Sequence, residues 1–145
     1  LEKYKKGQTI ILMKVAIVGS RKYDNKLKIK EFIFQCKEQF GDKLEIVSGG
    51  CKYGADKFAK QVSMELDLRY VEFPPAHFPH NKFCIREAFN YGKQYAVWHY
   101  FERNKEIADY SDIVVGFIPE GEKSNGTRNT LNHAEKFNKK VIIIN

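Results

Sequence analysis

Two stretches decide the fold: KVAIVGSR at residues 14–21 and LEIVSGGCKYGAD at residues 44–56. Each opens as a near-continuous Val- and Ile-rich run and stops abruptly at glycines, serines and a cation. A near-continuous apolar run of this length is the mark of a strand covered on both faces, as in a parallel sheet. A glycine-rich exit that leads into a helical pattern is the mark of a strand end in a βαβ unit.

Working outward, the same rhythm recurs. Apolar runs at residues 14–18, 44–47, 69–73, 113–118 and 141–144 alternate with helical stripes. Residues 27–40 place Ile29, Ile33, Cys36 and Phe40 on one face; residues 55–66 do so with Phe58, Ala59, Val62 and Leu66. Residues 127–138 align Leu131, Ala134 and Phe137. The expectation is an α/β, Rossmann-like, doubly wound and mainly parallel five-stranded sheet with helices on both faces. There are no internal repeats or low-complexity linkers, so residues 13–145 read as one domain. Residues 1–12, ahead of Met13, read as an N-terminal extension or cloning remnant.

Bulk properties bound the partners. A chain of 145 residues with 43% hydrophobic and 30% charged residues has ordinary globular composition. Its formal charge is +7. Lys3, Lys5 and Lys6 against Glu2 put +2 of that in residues 1–12, leaving +5 for the rest. A moderately basic surface suits phosphate-bearing ligands, and no long block of like charge forms a nucleic-acid tail. Three cysteines, Cys36, Cys51 and Cys84, without CxxC spacing indicate neither a disulfide framework nor a zinc ribbon. They fit a reducing compartment, and the expected location is cytoplasmic. No apolar run reaches bilayer-spanning length, so no membrane partner is expected.

In an open parallel sheet, ligands bind beyond the carboxyl ends of the strands. Three loops there carry the right residue types. Gly19, Ser20 and Arg21 offer close backbone approach, a hydroxyl and a guanidinium fork, or else form a plain turn. Ser48, Gly49 and Gly50 lead through Cys51 to Gly54, Ala55 and Asp56. A glycine-rich loop opening a helix is an anion site, although this one is neither a P-loop nor a GxGxxG fingerprint. Asp56 reads as an N-cap or a ribose contact, and Cys51 as a nucleophile only if a base were paired with it. The third loop, Gly121 to Asn129, contains Gly126, Thr127 and Arg128 at a helix start, with Thr127 as the alternative N-cap.

Residues 74–100 break the rhythm. They hold seven aromatics (Phe78, Phe83, Phe89, Tyr91, Tyr95, Trp98, Tyr100) together with His77, His80 and His99. Such an aromatic-rich insertion is either core or a base-stacking platform. It runs into a helix extending through Ala108. His77, His80 and Cys84 lack a standard zinc spacing, so no metal and no resident cofactor are expected. Asp109 and Asp112 read as cap and turn residues.

Taken in order, these motifs resemble the SLOG superfamily, which groups the DNA-processing protein Smf/DprA and the LOG-type phosphoribohydrolases. The resemblance is to its small bacterial and phage YspA-like branch. It rests on Gly19-Ser20-Arg21, Ser48-Gly49-Gly50 with Gly54-Ala55-Asp56, Pro75-Ala76, Arg103-Asn104, Asp112 and Gly126-Thr127, and covers Met13 onward. It implies a Rossmann-like fold and a nucleotide-type ligand, and it adds Arg103 and Asn104 to the site. Arg103 is thereby the best catalytic candidate, as a partner of phosphate or of a leaving group. It also implies a homodimer or larger homo-oligomer. LOG-type hydrolases carry PGGxGTxxE; here Thr130 stands at the glutamate's position and no double glycine precedes the loop.

The leading functional expectation is a phosphate-binding, nucleotide-binding domain acting as sensor, sequestering protein or weak enzyme. One alternative is a hydrolase of N-glycosidic or phosphate bonds in a nucleotide. The other is a single-stranded nucleic-acid binding module.

Overall fold

The computed structural model describes residues 10–145. Nine of the twelve residues read as an extension therefore lie outside the described residues. The sheet is built from β1 (Met13–Gly19), β2 (Leu44–Ser48), β3 (Arg69–Glu72), β4 (Ile113–Phe117) and β5 (Lys140–Ile144). All neighbouring strands run parallel, in the order β3-β2-β1-β4-β5. The helices are α1 (Lys26–Phe40), α2 (Gly54–Glu65), α3 (Trp98–Tyr110) and α4 (Asn125–Lys136). This is the doubly wound α/β arrangement expected from the strand rhythm.

Side chains of a strand alternate between faces, and β1 shows what that does here. Val15 and Ile17 join Ile29, Ile33, Ala59 and Val62 of α1 and α2 in one core. Ala16 and Val18 join Ile107, Ala108, Leu131 and Ala134 of α3 and α4 in the other. Each fully buried Ile or Val contributes roughly 1.5–3 kcal/mol relative to exposure. Asn25 caps α1 by accepting a hydrogen bond from the Lys28 amide, and Gly41 ends it in the left-handed region at φ 57°.

Two carboxylates inside the sheet are satisfied. Glu45 of β2 accepts from the Tyr110 hydroxyl. Glu72, at the end of β3 and 2% exposed, accepts from Tyr70 Oη at 2.9 Å and Asn81 Nδ2 at 2.7 Å, with Lys60 Nζ 3.3 Å away. The aromatic-rich segment returns beside β3 at this point. The Glu72 amide donates to the Phe83 carbonyl at 3.0 Å, covering the edge that β3 would otherwise present.

The strand order reverses between β1 and β4. The chain leaves β1 toward α1 on one face and leaves β4 toward α4 on the other, and the carboxyl ends at such a reversal are where open α/β sheets form their ligand crevice. The loop after β1 and the start of α2 close on each other at that place. The Ala55 amide donates to the Ser20 carbonyl at 3.3 Å. Gly54 sits at φ 66°, and a Cβ there would overlap the Ser20 carbonyl oxygen and lie 2.7 Å from backbone carbons of Arg21.

Two outcomes check this packing. Gly54→Ala should cost about 3 kcal/mol or more, because it combines positive-φ strain with overpacking against backbone. Gly126→Ala meets nothing within 4 Å in the first turn of α4 and should be neutral or stabilising by up to about 1 kcal/mol. Equal effects in denaturant titrations would contradict the loop docking. Burial pushes the Cys36 thiol up to about 11. A maleimide should therefore modify the partly exposed Cys51 and Cys84 in the folded protein and reach Cys36 only in denaturant; equal rates at all three would contradict the core assignment.

Candidate functional site

Arg103 stands at the centre of the crevice. It lies on α3, which crosses behind the ends of β1 and β4, and its half-buried guanidinium reaches toward the loop after β2. Nη1 donates to the Gly49 carbonyl at 2.6 Å and to the Phe73 carbonyl at 3.3 Å. Nε donates to Asn104 Oδ1 at 3.1 Å. Asn104, 8% exposed, turns its amide the other way. Its Nδ2 donates to Asn129 Oδ1 at 3.2 Å and to the Gly126 carbonyl at 3.4 Å. The Arg103-Asn104 pair thus ties the loop after β2 to the loop after β4, while Gly54 and Ala55 tie the loop after β1 to α2. The three strand exits meet.

A buried carboxyl completes this centre. Asp56, 9% exposed, accepts from the Cys51 amide through Oδ2 at 3.1 Å. Burial raises its proton affinity above the usual carboxylate range, and the neighbouring Arg103 opposes the rise. Burial in turn lowers the proton affinity of Arg103, with Asp56 opposing, but a guanidinium stays charged at any working pH. Asp56 is the third residue of α2 rather than its N-cap. Tyr53 occupies the cap position without a side-chain hydrogen bond.

Arg21 is exposed at the crevice edge. Its guanidinium carbon lies 5.8 Å from the Tyr100 ring centroid, and that of Arg103 lies 5.9 Å from the same ring. Two cations therefore share one aromatic ring near the buried carboxyl of Asp56, which also feels the charge of the buried Glu72. The helix starts add to the positive field: α2 and α4 both begin beside the crevice without a side-chain cap. Helix α4 begins at Asn125, so Thr127 lies inside its first turn and is not the N-cap.

The other candidates divide. Gly49 is crowded by Arg103 and by Asp56 Oδ2, and Gly50, at φ 74°, by Glu72 Oε2 at 2.8 Å. These two glycines make room for protein side chains. Gly19 makes room for Ala55, whose Cβ a side chain would meet at 2.7 Å. The Ser48 hydroxyl is committed to Tyr70 Oη at 2.6 Å and to the Gly50 amide at 3.1 Å. The Ser20 hydroxyl accepts from the Lys22 amide at 3.0 Å, closing its own turn. Gly126 is open, and the buried Thr127 turns its methyl toward Gly116 of β4. Arg128 spends Nε on the Lys123 carbonyl at 2.8 Å and so braces its own loop. Thr130, at the hydrolase glutamate's position, donates back to the Gly126 carbonyl at 3.3 Å.

His77, His80 and Cys84 do not converge. His77 bonds His99 through Nδ1 at 3.1 Å, His80 packs on Tyr91, and Cys84 donates to Asn81. Among the described residues no three His, Cys, Asp or Glu side chains group around one point, and no helix is long and apolar enough to cross a membrane. Asp112 opens β4 by accepting from the Lys14 amide at 2.9 Å.

The sequence named Tyr100 only among the aromatics of the insertion and Asn129 only as the end of the third loop, without a place at Arg103 and Asn104. Tyr100 precedes Arg103 by three residues, a spacing that puts both on one helix face. Two hollows lie beside this cluster rather than in it. One, of about 670 Å³, is lined by Gly50, Cys51 and residues of α1 and α2. The other, of about 550 Å³, is lined by residues 93–99.

No protein-family model matches the chain, and no curated protein matches it by sequence. Among solved structures it is similar to the molybdenum cofactor binding protein from the phototrophic bacterium Rippkaea orientalis. That match has a TM-score of 0.68 at 20% identity, over 93% of this chain and 77% of the other. It is also similar to the molybdenum cofactor carrier protein MCP from Chlamydomonas reinhardtii, with a TM-score of 0.57 at 15% identity over 91% and 76%. A second structure of the Chlamydomonas reinhardtii carrier protein gives 0.56 at 13% identity over 92% and 76%. At these identities the likeness is one of fold, and it shows this chain to share their α/β sheet.

Proposed function

We propose that the chain binds a nucleotide or nucleotide-derived ligand above the carboxyl ends of β1, β2 and β4, as a sensor, sequestering protein or carrier. The observation that carries the reading is the setting of Arg103. Its guanidinium is fixed by two backbone carbonyls and Asn104 at the meeting point of three strand-exit loops, with Arg21 near the same Tyr100 ring and the starts of α2 and α4, which carry no side-chain cap, alongside. Pre-positioned cations and backbone amides are what an anionic ligand needs, because little ordering remains to be done on binding.

Two further facts support the same ligand class. The ordered motifs resemble the SLOG superfamily, and we place the chain there. The fold neighbours are named for binding or carrying the molybdenum cofactor. Holding is favoured over hydrolysis by the chemistry of the crevice. Its buried carboxyl, Asp56, is engaged by the Cys51 amide beside Arg103, and Thr130 stands where a catalytic glutamate would be needed.

The test is a thermal-shift series with nucleoside phosphates, ADP-ribose and pterin phosphates. A ligand of this class at a hundredfold its Kd should stabilise the fold by about 2.7 kcal/mol. Arg21→Ala should weaken that ligand roughly tenfold, as expected for loss of one charge-assisted contact. It should leave the unliganded melting temperature nearly unchanged, because Arg21 is exposed and its cation–π contact with the Tyr100 ring is worth little at a solvated site. Absence of stabilisation by every phosphate compound, or an Arg21→Ala variant with unchanged affinity, would overturn the proposal.

A further inference from the structure

The hollow lined by residues 93–99 sits next to the crevice and has a composition of its own. Tyr95 and Trp98 stand in it 66% and 60% exposed, whereas His99 beside them is 7% exposed. Large aromatic surface left open to water next to a buried, fixed ring is a binding surface rather than core. The ring below is well held. His99 Nδ1 lies 3.1 Å from His77 Nδ1, and the two rings stack at 5.3 Å and 28°. His77 in turn packs against Tyr95 at 4.8 Å and Tyr100 at 5.1 Å.

That chain of rings leads to the cations. Tyr100 is the ring flanked by Arg21 and Arg103. His99 and Arg103 are four residues apart on α3, so they lie on one face about 6 Å apart along its axis. Trp98, whose ring centroid lies 5.5 Å from that of His99, is five residues from Arg103, about 7.5 Å along the axis and turned from that face. Gln94, at the hollow's rim, carries both a donor and an acceptor suited to the edge of a purine- or pterin-type ring.

We infer that the Tyr95-Trp98-His99 hollow is the ring subsite of the ligand: a planar, fused heteroaromatic ring of the purine or pterin class stacks there, with its phosphate end at Arg21 and Arg103. The inference rests on the proposed crevice for its phosphate end, but not for its ring. A ring seated on Trp98 gains roughly tenfold in affinity over the same phosphate compound without a ring, in line with base-on-aromatic stacking.

Trp98 is the one tryptophan of the chain, so tryptophan fluorescence reports this site alone. Three probes separate the two ends: guanosine 5′-monophosphate, ribose 5-phosphate and guanosine, titrated by fluorescence and by calorimetry. The nucleotide should quench Trp98 and bind about tenfold more tightly than ribose 5-phosphate, which should leave the emission unchanged. Trp98→Ala should bring the nucleotide down to the level of ribose 5-phosphate without altering the latter, and Trp98→Phe should restore most of the difference. Arg21→Ala should weaken both phosphate compounds alike. Equal affinity of nucleotide and ribose 5-phosphate, with unmoved emission, would overturn the ring subsite and leave the phosphate crevice standing. Quenching by guanosine that Trp98→Ala abolishes, with no gain from the phosphate, would uphold the ring subsite and overturn the crevice. Binding of none of the three would overturn both.

Discussion

A guanidinium held between the carbonyls of Gly49 and Phe73 is the constraint around which this crevice is organised. An arginine taken partly out of water needs acceptors, and the chain supplies backbone oxygens from two different strand exits. It keeps Asp56 close enough to offset part of the charge without pairing it directly. The glycine at position 49 follows from that choice, since any side chain there would occupy the space of the guanidinium. Asn104 extends the arrangement to the loop after β4. A helix that would otherwise only cover the sheet thus becomes the tie between loops that are far apart in sequence.

The electrostatics follow from the same placement. Two guanidiniums and two helix starts without a side-chain cap face two buried carboxyls, Asp56 and Glu72, the second already held by Tyr70, Asn81 and Lys60. Because Arg103 is fixed and Arg21 is exposed, the first defines where an anion would sit and the second adds charge at little structural cost. The glycines of the SGG stretch serve this geometry from the inside, by accommodating Arg103, Asp56 and Glu72. Close approach of the backbone to a ligand is not their visible task.

Most of the fold could be read from sequence, because strands covered on both faces leave an unbroken apolar signature and amphipathic helices leave a periodic one. Helix boundaries moved by one or two residues, and with them the reading of Asp56 and Thr127 as caps. Capping is decided by local backbone geometry that periodicity does not encode. The site was less legible. Ser48 looks like a free hydroxyl until Tyr70, from a neighbouring strand, takes it. Arg128 reads as a free fork, yet its Nε braces the Lys123 carbonyl. Both depend on contacts whose partners sequence spacing could not identify. Arg103 and Asn104 would have read as a helix surface; only the order of motifs shared with a known superfamily pointed to them. Within the aromatic-rich segment, Tyr91 is buried and Trp98 is not, a division that composition alone could not make.

The central claim is that three strand exits form one anion-accepting crevice. It is tested most directly by following backbone amide resonances while a nucleoside monophosphate is added. The account predicts that Gly19–Arg21, Gly49–Gly54 and Gly126–Arg128 shift together and saturate with a single dissociation constant. Responses confined to one loop, or different constants for different loops, would contradict it.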